Sequence, residues 1–367
     1  MEKTRVRESG FELLRIIAMV MIVANHLVNH GILKVSSPDP NVLWPGGSVL
    51  NRLLCALLTS GGRVGVAVFF MISGYFLAEQ EKISVRSLRG ILGKVHYFGA
   101  VMLGLLFVLN RVVNYGAQID LHAAARESLC IPLTVWWFTF AYTVLLFLAP
   151  SLNILVASFR QKWAFVLLIL YIWFFFYRAL GDFVYDDFIK AVFFYLIGAW
   201  VRRTFGPARK ASVLRIGLFF CLCLAAWLLA GFLSWVGLCH ATAGAAAYAW
   251  SLPVSPGRIL NNAVIPLFAL SMLLLFREVH FSSGMVNRIA GCTFGVYLFH
   301  DYTFTRAFLW HSFLKTDTLQ FSSRWFPAYI LLDILLIFAF GILLELLREL
   351  LVYLGTKVIF RKTSRNE

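Results

Sequence analysis

Charge is scarce in this sequence. Only 14% of its 367 residues are Asp, Glu, Lys or Arg, where a soluble domain carries about 25%. Acidic residues are the scarcer class, 18 against 33 basic ones. So few charged side chains do not cover a water-soluble globule of this length, which excludes a soluble enzyme. Cysteine is sparse as well. Its six positions (Cys55, Cys130, Cys221, Cys223, Cys239 and Cys292) show no C-x-x-C spacing and mostly fall in or beside apolar runs. They read as small apolar residues rather than a disulfide or metal framework. The chain also lacks a Gly-x-Ser-x-Gly elbow, a His-Glu-x-x-His pair and a phosphate-cradling glycine loop. Serine-hydrolase, metal and nucleotide-hydrolysis chemistry are therefore not expected. No internal repeat and no low-complexity tract is visible, and no signal for an oligomeric state.

What is abundant is apolar. Hydrophobic residues make up 60% and aromatics 16%, with 35 Phe and 11 Trp, and mean hydropathy is +0.79. That excludes disorder and points to the lipid bilayer as the partner. A bilayer core takes about 20 apolar residues per helix. Charge-poor windows of that kind fall at Phe11–Asn29, Leu57–Ala78, Val95–Val112, Val135–Ala157, Trp163–Tyr177, Phe188–Val201, Leu214–Val236, Ile259–Phe276, Ile289–Phe308 and Phe326–Leu354. The fold class expected is all-α: a polytopic transmembrane helix bundle of about ten spans. Pro266 falls inside the eighth window and predicts a kink there. The first run has no small-residue cleavage pattern, so it reads as a retained span.

The net charge of +15 divides unevenly between the loops. With the N-terminus cytoplasmic, most Lys and Arg lie on inner segments, including Lys82, Arg86, Arg89 and Lys94 after the second window. That bias and an even span count place both termini in the cytoplasm. It also accounts for the basic balance without nucleic acid as a partner. The longest polar stretches, about 31–56 and 237–258, are too short to bury a core of their own. One membrane-embedded domain is expected over 1–367, with its core at about 8–354 and a short basic tail at 355–367.

Ionisable groups at membrane depth carry the functional signal. Arg15 and His26 are eleven residues apart, so on a helix they share a face about 16 Å apart along the axis. That puts a cation near the inner surface and a titratable base towards the outer one, which suits an anionic donor from inside and an acceptor from outside. Two plainer readings compete: Arg15 snorkelling to lipid phosphate, and His26 as a satisfied core histidine. Asn25 flanks His26 and could orient it. Asp333, near the outer end of the last window, is a second candidate for that role. Glu345 is expected to pair with Arg348 at i,i+3. His300 and Asp301 are adjacent, so on a helix they diverge by about 100° and do not form a dyad with each other. The other histidines, His30 among them, fall near window ends and read as interfacial. Trp136 and Trp137 read as an interfacial belt, with sugar stacking as the alternative. Ser73 could hydrogen-bond a substrate, beside a Gly74 that reads as helix packing.

Several segments together resemble the acyltransferase-3 family of integral membrane O-acyltransferases. The first is Arg15 and His26 with ten residues between them, within Phe-Glu-Leu-Leu-Arg-Ile-Ile-Ala-Met. The second is the run Gly62-Arg63-Val64-Gly65-Val66-Ala67-Val68-Phe69-Phe70-Met71-Ile72-Ser73-Gly74-Tyr75-Phe76. Further similarity lies in Trp137-Phe138, in Phe194-Tyr195-Leu196-Ile197-Gly198, and in Phe294-Gly295-Val296-Tyr297-Leu298-Phe299-His300-Asp301. It extends over about residues 8–350. The resemblance implies transfer of an acyl group, usually acetyl, from cytoplasmic acetyl-CoA or another acyl-coenzyme A, with no metal. The acceptor implied is a hydroxyl of a surface glycan or lipid-linked saccharide, at a bacterial-type inner membrane. By the same resemblance His26 is the base or a transient acyl carrier, and Arg15 helps anchor the donor. Arg86-Ser87-Leu88-Arg89 fits the family's Arg-x-x-Arg spacing, though without the usual adjacent arginines and following proline. Those residues read equally as positive-inside charges. Trp136, Trp137, Ser73, His300 and Asp301 are acceptor-site candidates. No hydrolase-like Ser-Gly-Asn-His domain follows, so the bundle is expected to complete the transfer or hand the group on. A transporter or a ligand sensor is the competing class. The paired interrupted helices of a transporter repeat are not found.

Overall fold

The computed structural model describes residues 9–32, 48–115, 119–158, 162, 166–167, 170–171, 186–205, 210–240 and 256–363. Among them every regular element is helical. α1 (Gly10–His26) runs directly into a π-helical segment, Leu27–Ile32. α2 (Val49–Leu77) and α3 (Val85–Val113) follow, then the short α4 (Leu121–Leu129) and α5 (Trp137–Ser158). Beyond them come α6 (Asp186–Thr204), α7 (Lys210–His240) and α8 (Pro256–Arg277). α9 (Gly284–His300) and α10 (Phe326–Thr363) complete the series.

Seven helices among the described residues are long and apolar enough to cross a membrane. α6 spans the sixth window read from the sequence, and the 17-residue α9 covers the first part of the ninth. Most of the fifth window, Trp163–Tyr177, and most of the stretches 31–56 and 237–258 lie outside the described residues. Pro266 sits inside α8. The architecture is an all-α polytopic bundle. Leu218 and Leu222 of α7 and Leu331, Leu335 and Leu343 of α10 are exposed, an apolar exterior that water would not tolerate and lipid does.

Local chemistry marks the helix ends. Ser48, Ser84, Asp120 and Ser283 each accept a backbone N–H at the start of α2, α3, α4 and α9, satisfying donors that a helix leaves free. The Ala123 N–H, with that of His122, holds the Asp120 carboxyl below its ordinary range. At the far end of α2, Asn153 donates to the carbonyls of Leu77 and Gln80, and Arg203 donates to that of Ala78. α2 and α6 touch through backbone: a Cβ at Gly74 would strike the Tyr195 carbonyl, and one at Gly198 the Met71 carbonyl. Gly74 is thus a packing residue, as its sequence context suggests.

The sequence suggests that the ninth helix reaches Phe308. It stops at His300. Beyond it the chain is tied down sideways. Asp301 pairs with Arg306, the Tyr302 hydroxyl lies 2.6 Å from that of Ser128, and Thr303 donates to the Val135 carbonyl. Two π-helical turns, Phe308–Phe313 and Thr316–Gln320, then fold over the His26 end of the bundle with Trp310 buried beneath them. Buried Asn51 fastens this cover to α2, donating 2.7 Å to the Phe321 carbonyl and 2.9 Å to that of Ser323. Replacing Asn51 by Ala removes both bonds. The expected loss is about 2 kcal/mol, seen as a lower melting temperature of the detergent-purified protein.

Candidate active site

α1 presents Arg15, Met19, Ile22 and His26, at spacings of four, three and four residues, to one cavity of about 460 Å³. α2 contributes Val66, Phe69, Ile72 and Ser73, and α5 contributes Trp137, Phe138 and Tyr142. The beginning of α3 adds Ser87, Gly90, Ile91 and Lys94, and α9 adds Gly291, Thr293, Phe294 and Tyr297. The wall is therefore mostly apolar, with cations at one end and an imidazole at the other. Arg15 is held by Glu12 at 2.5 Å, and its guanidinium lies over the Phe76 ring. Lys94 is 2.7 Å from the buried carboxylate of Glu345, which Arg348 also contacts at 2.8 Å.

Hydrogen bonding fixes how His26 presents itself. His300 is fully buried, and its Nδ1 lies 2.7 Å from the Val296 carbonyl oxygen. A carbonyl only accepts, so that nitrogen carries the hydrogen. In neutral His300 the Nε2 is then an acceptor, and it stands 3.0 Å from His26 Nδ1. His26 must donate from Nδ1, which leaves its Nε2 as an unprotonated lone pair. Asp301 stands behind this pair, 3.6 Å from His26 Nδ1 and 3.1 Å from Arg306. A carboxylate there stabilises positive charge arriving on His26. The termination of α9 at His300 brings both neighbours to bear: His300 from the last helical turn, Asp301 from the first residue after it.

The structure brings Arg15, His26, Ser73 and Trp137 to the same cavity. Ser73 donates to the Phe69 carbonyl of its own helix. Other sequence candidates lie elsewhere. The Asn25 amide donates to the Thr59 carbonyl and accepts from Asn29, so it fastens α1 to α2 and does not hold the imidazole. Asp333 accepts from Gln320; the carboxylate beside His26 is Asp301. Trp136 is wholly buried beside the Tyr302 ring, so it is no interfacial belt residue. Arg86 and Arg89 are exposed on α3, while Ser87 and Lys94 of the same helix line the cavity. Three participants were not singled out from sequence: Lys94, which passes for a loop charge; Arg306, whose partner lies five residues back; and His30, whose ring centroid is 5.0 Å from that of His26. His30 follows His26 by one helical turn, which is the signal that was available.

Such an arrangement can bind an anionic head group at its cationic end, shelter an apolar arm, and remove a proton at the other end. A model described as an acyltransferase domain matches residues 8–346. No curated protein and no solved structure matches the chain significantly. The family match spans nearly the whole bundle, Arg15, His26 and His300 included, and this chain belongs to that family of membrane acyltransferases.

Proposed function

We propose that the protein transfers an acyl group, in the first instance acetyl, from cytoplasmic acyl-coenzyme A to a hydroxyl of a cell-surface glycan or its lipid-linked precursor. The observation that carries this reading is the single cavity with Arg15 at one end and His26 at the other. In the bacterial-type membrane proposed, the positive-inside bias has the Arg15 end facing the cytoplasm. There Arg15 and Lys94 meet the phosphates of the donor, and the apolar wall receives its arm and thioester. The acceptor hydroxyl reaches His26 from the opposite side.

A sugar hydroxyl is a poor nucleophile near neutral pH. As its oxygen attacks the thioester carbon, His26 Nε2 takes its proton, and general-base help of this kind contributes about 10²–10⁴-fold. The carbon–sulfur bond breaks, and the departing thiolate takes the proton back from His26. Between those events His26 is a cation, and Asp301 at 3.6 Å offsets the charge. The same Nε2 lone pair would serve if His26 carried the acyl group transiently. Cells producing a His26→Ala protein at normal level should lose ester-linked acetyl from the surface glycan, read by mass spectrometry. Unchanged acetylation would reject the assignment.

The cavity wall supplies a second test. Gly291 lines the cavity, and a Cβ built on it meets nothing within 4 Å. Gly291→Leu therefore projects into donor space from a Cβ that strikes no neighbour, and it replaces a poor helix former by a good one. The Michaelis constant for acyl-coenzyme A should rise by about tenfold, a change of roughly 1.4 kcal/mol, while the melting temperature does not fall.

A further inference from the structure

We propose that His26, His30 and Asp301 also form a binding site for a zinc ion, and that zinc bound there switches the base off. The switching half rests on the reading of His26 as the base; the site itself stands on geometry. One ligand atom from each of the three residues lies within 4.8 Å of the others. His26 Nδ1 is 3.6 Å and His30 Nε2 is 4.0 Å from the same oxygen, Asp301 Oδ1. Around tetrahedral zinc, with bonds of about 2.0–2.1 Å, donor atoms stand about 3.4 Å apart. Reaching that spacing takes a few tenths of an ångström on the two distances to Asp301 and a closure of up to about 1.4 Å between the two imidazoles, within the reach of side-chain rotation. Two imidazoles and a carboxylate are a zinc donor set, with a fourth position left over. His300 Nε2, 3.0 Å from His26 Nδ1, is placed to fill it.

His30 is the independent observation. Its side chain is only 18% exposed. Its Nδ1 is buried without a hydrogen-bond partner, and its Nε2 is too far from Asp301 for a hydrogen bond. Largely buried polar groups are as a rule hydrogen-bonded, since leaving one unpaired is costly. With its Nδ1 unpartnered, its Nε2 4.0 Å from the Asp301 carboxylate and its ring edge-on to that of His26, this imidazole is placed to take an ion at Nε2. Arg306 shares Asp301 Oδ1 at 3.1 Å, which lowers the affinity for a cation and keeps binding reversible.

The consequence for His26 follows from its tautomer. Zinc takes the lone pair of Nδ1, so the proton there moves to Nε2, and nothing is oxidised or reduced. His26 Nε2 then bears a hydrogen and cannot accept one from the acceptor hydroxyl. His300 Nε2, released from its bond to His26, turns its lone pair to the metal. The ion thus occupies the acceptor end of the cavity's imidazole and stops transfer without touching the donor end.

The test counts metal before it measures transfer. Protein purified in detergent through a tag without histidine is equilibrated with micromolar zinc chloride, freed of loose metal, and its zinc counted by mass spectrometry. The wild type should hold about one ion, and His30→Ala close to none. His96→Ala, which removes an exposed histidine on α3, should hold as much as the wild type. Equal zinc in the wild type and His30→Ala, with both eluting as the same folded species, overturns the site, as does no zinc in the wild type. In the wild type, zinc should also suppress acyl transfer by tenfold or more, reversed by a chelator. Transfer unaffected at full zinc occupancy overturns the switch. The metal count uses neither donor nor acceptor, so it stands or falls separately from the acyltransferase reading.

Discussion

His26→Gln should reduce acyl transfer by about 10³-fold, within the span that general-base catalysis supplies, and leave the protein folded. Glutamine keeps an N–H able to donate to His300 Nε2, so the hydrogen bond at 3.0 Å has a replacement. What it lacks is a lone pair basic enough to take the hydroxyl proton. Turnover should therefore collapse while the Michaelis constant for acyl-coenzyme A changes little, because Arg15 and Lys94 lie at the other end of the cavity. Steady-state kinetics of the reconstituted protein separate the two constants. A variant that instead lost donor affinity with turnover intact would show that His26 binds and does not catalyse.

The second large effect is on stability. The Glu345 carboxylate is fully buried, and both Lys94 and Arg348 reach its Oε1 atom. Two cations on one anion leave a net positive charge beside the cavity, which favours a polyanionic donor. Glu345→Ala leaves those two cations facing each other in a poorly solvated place. Removing one member of a buried ion pair costs about 3–5 kcal/mol, so a fall of several degrees in melting temperature is expected. Arg348→Ala, which leaves Lys94 on the carboxylate, should fall by clearly less. Equal losses in the two variants would mean that the anion does not organise the cluster.

Much of this was legible in the sequence, for a physical reason. Bilayer spans must be long, apolar and internally hydrogen-bonded, so their windows stand out: nine of those read from the sequence contain a described helix. The Arg15–His26 spacing is likewise local, set by helical pitch alone. The Glu345–Arg348 pair, three residues apart on α10, is legible for the same reason. What was not legible depends on contacts between distant segments. His300 and Asp301 reach His26 across 274 residues of chain, and only because α9 ends where Tyr302 and Thr303 are held by α4 and Val135. Asp333 has the right residue type and depth, but its helix turns it towards Gln320. Lys94 differs from Arg86 and Arg89 only in the face of α3 it occupies, and no pattern of charge alone distinguishes them.

The most direct examination of the account is a cryo-electron microscopy structure with a thioether analogue of acetyl-coenzyme A, which binds as the donor does but cannot transfer. The account requires the analogue's phosphates at Arg15 and Lys94 and its carbonyl end in the cavity beside His26. Density for the analogue outside the cavity, or a His26 ring turned away to face lipid, would contradict it.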